Sequence, residues 1–165
     1  MGDPYFERLG RYNAWANERL YDACGQLAEA ELKAPRRAFF GSILATLNHI
    51  LVGDRIWMSR LAGGTLVLPL NKILHGELAA LRAARRQQDK LLIELVGGIA
   101  ANRLDEPLRY QNTKGEGFAT PYRLVLGHLF NHQTHHRGQV HDMLSQTAVP
   151  PPELDLIFFV RQEPS

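Results

Sequence analysis

The stretch Asn131 to Gln139, NHQTHHRGQ, holds three of the chain's seven histidines. An imidazole can ligate a metal, relay a proton or sit hydrogen-bonded in a core, and spacing decides which rings can act together. A helix turns about 100° per residue. Wound as a helix, this segment carries an apolar stripe of Val125, Leu126, Leu129, Val140, Met143 and Leu144. His132 and His136 fall inside that stripe, roughly 40° apart. His128 and His135 sit on its edge, and His141 lies on the far side beside Phe130. The pairing that spacing selects is therefore HxxxH, not the adjacent His135 and His136.

Two imidazoles at i and i+4 can share a divalent ion, as in the helical pair of zinc metalloproteases. The intervening residues here are QTH, so the glutamate of that protease motif is absent. Without a metal, the same two histidines would be core residues hydrogen-bonded to other groups, and a metal site needs a further ligand from elsewhere. His49 is the better remaining candidate, since it lies in line with Ala45, Val52 and Ile56 on an apolar strip of SILATLNHILVGDRIWMSRL. A buried neutral histidine needs both ring nitrogens satisfied, by a metal on one and an oxygen on the other, or by hydrogen bonds alone. His75, between Leu74 and Gly76, reads as solvated. Gly138, a helical glycine with no turn to make, suggests close approach by another backbone. Arg137 and Gln139 read as lying off the core stripe, where they either support the site from behind its ligands or, by default, meet water.

These residues need long helices to position them, and the sequence predicts four. The first runs from Pro4 to about Leu27, with Asp3 and Pro4 as cap and first-turn residues and Phe6, Leu9, Tyr12, Ala16 and Leu20 at helical spacing. LAEAELKAPRRAFFG reads as a connector, and Ser42 caps a second helix from Ile43 to about Leu61. The third spans about Leu74 to Val96, with RAARRQQDK as a solvated middle, and Gly97 and Gly98 end it. Residues Leu108 to Ala119 are too rich in Gly, Asn and Thr for helix and suggest a short hairpin around Lys114 to Gly117. Thr120 and Pro121 then read as cap and first residue of a fourth helix reaching about Gln146.

At 165 residues, with 45% hydrophobic and 22% charged residues, the chain is expected to form a single domain, residues 1–165, with its own core. The formal charge of +2 comes from interleaved acids and bases, which argues against nucleic acid as a partner. Cys24, the lone cysteine, excludes an internal disulfide and a CxxC metal site. A reducing, cytoplasmic setting is expected, with no signal segment and no membrane span.

The segment FFGSILATLNHILVGDRIW, followed some eighty residues later by NHQTHHRGQ, with YNAWANERLY near the start and DLIFFVRQ near the end, resembles the DinB-like family of metal-dependent enzymes. The resemblance spans nearly the whole chain. It implies an all-α fold, a four-helix bundle with a short irregular or hairpin insertion before the last long helix. It also implies one divalent metal ion, zinc or nickel, held by His49, His132 and His136, and a homodimer. Three imidazoles leave a coordination position open for chemistry. The resemblance implies transfer to or from a low-molecular-weight thiol or metal-dependent hydrolysis of a small molecule, with a non-catalytic bundle and a structural metal as the alternative. No catalytic residue stands out; His128, His135 and Asp54 are the nearest candidates for a general base.

Overall fold

The computed structural model describes residues 2–163. It is predominantly helical, as expected, and its core is a bundle of four long helices: α1 (Pro4–Cys24), α3 (Ile43–Leu61), α4 (Leu78–Gly98) and α5 (Tyr122–Leu144). Short helices α2 (Glu29–Lys33) and α6 (Leu156–Val160) lie in the connector after α1 and near the C-terminus. In the bundle α1 packs on α4 and α5, and α3 packs on the same two, so α3 and α5 are neighbours along their length. No described helix is long and apolar enough to cross a membrane.

Local chemistry sets the helix boundaries. The Asp3 carboxylate accepts from the Tyr5 and Phe6 amides, and the Ser42 hydroxyl accepts from the Ala45 amide, so both expected caps form. Helix α4 begins at Leu78 instead of Leu74. The reason is Asn48, whose side-chain oxygen accepts from the Leu74 and His75 amides at 2.8 and 3.0 Å and holds that backbone outside the helix. Helix α5 is not capped by Thr120; β1 (Pro107–Gln111) and β2 (Gly117–Pro121) form an antiparallel hairpin, and β2 runs directly into the helix. The first amides of α5 find partners in the carbonyls of Glu106 and Leu104 instead. The hairpin turns at Gly115, whose φ of +82° is a conformation glycine adopts without strain.

The core falls into two apolar clusters. One gathers Leu20, Leu47, Leu51, Leu81, Val140 and Leu144; the other gathers Leu92, Val96, Val125, Leu126, Leu129 and Phe130. Polar residues reach the bundle interior as well, contrary to the reading of RAARRQQDK as a wet face and Arg137 as a solvated residue. Arg85 is 2% exposed and faces Asp54 at 2.6 Å and Asp89 at 2.9 Å. Asn13 and Asn17 donate to Asp89, Arg137 donates to Asn13, Asn17 and Gln133, and Gln133 donates to Asp54. Two buried cations thus meet two buried carboxylates through amide relays, and every long helix contributes. Arg82 and Arg86, by contrast, do lie toward solvent, paired with Glu18.

Candidate metal centre

Helices α3 and α5 lie side by side, and their inward histidines meet. The Nε2 atom of His49 is 3.0 Å from Nε2 of His132 and 3.1 Å from Nε2 of His136. Potential ligand atoms of all three rings fall within 4.8 Å of one another. Two nitrogens bound to one zinc, each about 2.0–2.1 Å from it, are at most ~4.2 Å apart, so the two shorter separations suit a shared ion.

Neighbouring groups fix which nitrogen of each ring is free. Nδ1 of His49 donates to the Leu70 carbonyl at 2.8 Å; a carbonyl only accepts, so the proton of the neutral ring lies on Nδ1 and Nε2 is bare. Nδ1 of His136 is 2.8 Å from Oε1 of Gln139, which orients that ring the same way. Two bare nitrogens therefore face each other across 3.1 Å, an arrangement that repels unless a cation sits among the lone pairs. Protonation is disfavoured. Burial, then the neighbouring imidazoles, push His132 down to about 3. Burial lowers His49 and His136 too, although the Gln139 contact partly opposes it for His136. Neutral imidazole is the ligating form.

The cluster is held in place from several sides. Phe40 stacks on His49 with ring centroids 3.8 Å apart, placed there by a tight turn ending at Gly41, where φ is +78°. Asn48, by pinning the loop after α3, brings the Leu70 carbonyl over His49. Gly53 makes room for His132: a Cβ at that position would lie 2.6 Å from the His132 Cε1. Gly138, the glycine that spacing had marked for close approach, is exposed and meets nothing. Chain spacing held a usable signal for Gly53, which falls one turn after His49 in the middle of a helix.

Among the described residues the cluster contains three histidines and no fourth ligand. Beside it opens a cavity of about 290 Å³ lined by His49, His132, Ile56, Trp57, Arg60 and His128, among others. The expected general-base candidates now separate. Asp54 is buried in the ion pair with Arg85, and burial raises its carboxyl while Arg85 opposes that rise. His135 is exposed and lines a different groove with Arg37 and Asp142. His128 alone faces the cavity, its ring edge-on to Trp57 at 4.9 Å and 6.0 Å from the His132 ring. Partial burial, then the Arg60 charge, hold it below the ordinary histidine range. His141 and His75 are half-buried and stand outside the cluster.

Comparison with known proteins agrees with this architecture. A family model described as the DinB family matches residues 1–164. The chain is also similar to Protein DinB of Bacillus subtilis (strain 168), 28% identical over 169 residues that cover 97% of this chain and 96% of that protein.

Proposed function

Since this chain belongs to the DinB family, we propose that it is a metal-dependent enzyme acting on a small molecule, with transfer involving a low-molecular-weight thiol as its reaction. One observation carries the reading: three imidazole nitrogens converge, and two of their rings, His49 and His132, line a cavity large enough for a small substrate. A purely structural site would be expected to close its coordination with a fourth protein ligand.

His49, His132 and His136 would hold the ion. A divalent zinc or nickel ion there would supply positive charge that lowers the pKa of a bound thiol or water. The chain's own residues do the rest. Leu70 and Gln139 keep the ligand nitrogens bare and aimed inward. Ile56, Trp57 and Leu70 give the cavity an apolar wall that limits water. His128, a neutral base facing that space, takes the thiol proton as sulfur forms its new bond to carbon and the leaving group departs with its electron pair. Hydrolysis is the second reading, favoured by the same base, which can equally accept a proton from water.

Elemental analysis of protein purified without a metal-affinity tag, beside His49→Ala and His136→Ala, tests the centre. About one zinc or nickel per chain, lost in both variants, is expected. Metal-free protein, or metal retained in both variants, returns these histidines to the core and removes the basis for an enzyme.

A further inference from the structure

Arg60 is the buried cation that the polar network leaves out. Its guanidinium packs against two aromatic rings that meet edge-on, 4.5 Å from the Trp57 centroid and 5.4 Å from that of Tyr110, and the residue is 8% exposed. A cation–π contact satisfies the charge without engaging the N–H donors, and none of these donors meets an acceptor among the described residues. The other two buried arginines, Arg85 and Arg137, meet carboxylates or amide oxygens. Arg60 has no such partner among the described residues, and no carboxylate is among the groups that perturb it. It lines the cavity beside the histidines and also a second cavity, of about 550 Å³, under the β1–β2 hairpin. Neither lining contains an acidic residue.

Its placement relative to the histidines is fixed by one helix. His49, Gly53, Ile56 and Arg60 follow one another along a single strip of α3 at offsets of four, three and four. Eleven residues of rise separate the two ends by ~16 Å, and the His132 ring, lying over Gly53, stands one turn nearer to Arg60 than His49 does. Between them lies the small glycine surface and the apolar wall of Ile56 and Trp57.

The geometry points to Arg60 as the specificity-determining anchor for a carboxylate tail on the substrate, whose reacting head lies at the three histidines. This assignment rests on the metal-site reading above. A preorganised guanidinium fork pairs with a carboxylate through two parallel hydrogen bonds, and inside a cavity without competing acids that pair is strong. In the cavity shared with the histidines Arg60 is the one arginine or lysine among the described residues, and a single cation matches a monoanion. The substrate is thereby an elongated small molecule, with an apolar or slender middle, a metal-seeking head and an acid end.

Cobalt(II)-loaded full-length protein, titrated with mercaptohexanoate and separately with mercaptohexanol, reads the assignment through the thiolate-to-cobalt absorption band. Wild-type protein is expected to bind the carboxylate probe at least ~10-fold more tightly, with the preference shrinking as salt rises. Arg60→Met, which keeps an apolar stem against the rings, should take up cobalt normally and lose the preference, and Arg60→Lys should retain part of it. Equal binding of the two probes by the wild type, or a preference surviving in Arg60→Met, overturns the assignment and leaves the metal site standing. Should Arg60→Met fail to fold, a preference unchanged in Arg60→Lys and insensitive to salt overturns it as well. Absence of the cobalt spectrum before any thiol is added sinks the metal-site reading itself, and this assignment with it.

Discussion

The His132 ring lies directly over Gly53, and the space where a Cβ would sit is 2.6 Å from its Cε1 atom. Helix α3 thus gives up a side chain so that a ring from α5 can reach His49. Gly53→Ala therefore sets two effects against each other. Alanine raises helix propensity by about 1 kcal/mol, but the His132 ring must move. Metal affinity is expected to fall by about 10-fold or more, measured by competition with a chelating dye, while urea unfolding of the metal-free variant shows a much smaller change. Unaltered affinity would show that His132 is free to ligate from another position.

Asn48 acts on the centre through the backbone. Asn48→Ala leaves the Leu74 and His75 amides without their acceptor and frees the Leu70 carbonyl from its post over His49. The expected outcome is faster amide exchange across residues 66–76 and metal binding weaker by roughly 10- to 100-fold, the usual range for loss of a group orienting a ligand. Exchange confined to native rates would contradict this linkage.

Asp54 and His128 should part company. Asp54→Asn removes one of the two carboxylates that face the buried Arg85 and leaves only Asp89; loss of one member of a buried ion pair destabilises by up to about 3–5 kcal/mol. His128→Ala should change unfolding little and retain metal, yet abolish most turnover once a substrate is found. Chemical denaturation and metal analysis on both variants decide; a stable Asp54→Asn would mean that the network tolerates an unmatched charge.

The histidine centre makes the metal-free fold sensitive to mild acid. His49, His132 and His136 titrate lower in the fold than in the unfolded chain, so the unfolded state binds protons first as pH falls. Their stabilisation is complete above pH ~6.5 and is lost progressively below it, toward about 3 for His132. Glu18, held at about 2 by Arg86 and Arg82 against partial burial, adds a loss only below the ordinary glutamate range. Between pH 7.5 and 5 the histidines should therefore dominate. Urea midpoints should drop over that interval in metal-free wild-type protein, by at most ~2 kcal/mol from His132, and drop less in His132→Gln. Equal drops would place the titrating group elsewhere.

Much of this arrangement was legible in the chain before any coordinates. The HxxxH spacing and the apolar strip through His49 located the three rings, because helical periodicity alone decides which side chains share a face. The buried network is not visible in residue type, because the charges of Arg85, Asp89 and Arg137 read as solvent-facing. Position tells otherwise: Arg85 and Asp89 lie on the strip of Leu81 and Leu92, and Arg137 stands one turn from Gln133 on a helix packed against both α1 and α3. The Leu70 carbonyl is a backbone atom of an irregular loop and leaves no mark in residue type. The cavity depends on how that loop and the hairpin fold over α3, which periodicity does not encode.

The polar network also bears on the order of assembly. Its charges cancel within the bundle and tie every long helix to its neighbours without using any of the three imidazoles. The scaffold can therefore close first and present three preset imidazoles, so that a metal would enter a folded protein through the cavity side. If the three imidazoles hold an ion, its identity would then be set at loading, by supply and by the affinity order of divalent ions for nitrogen donors, and exchange would not require unfolding.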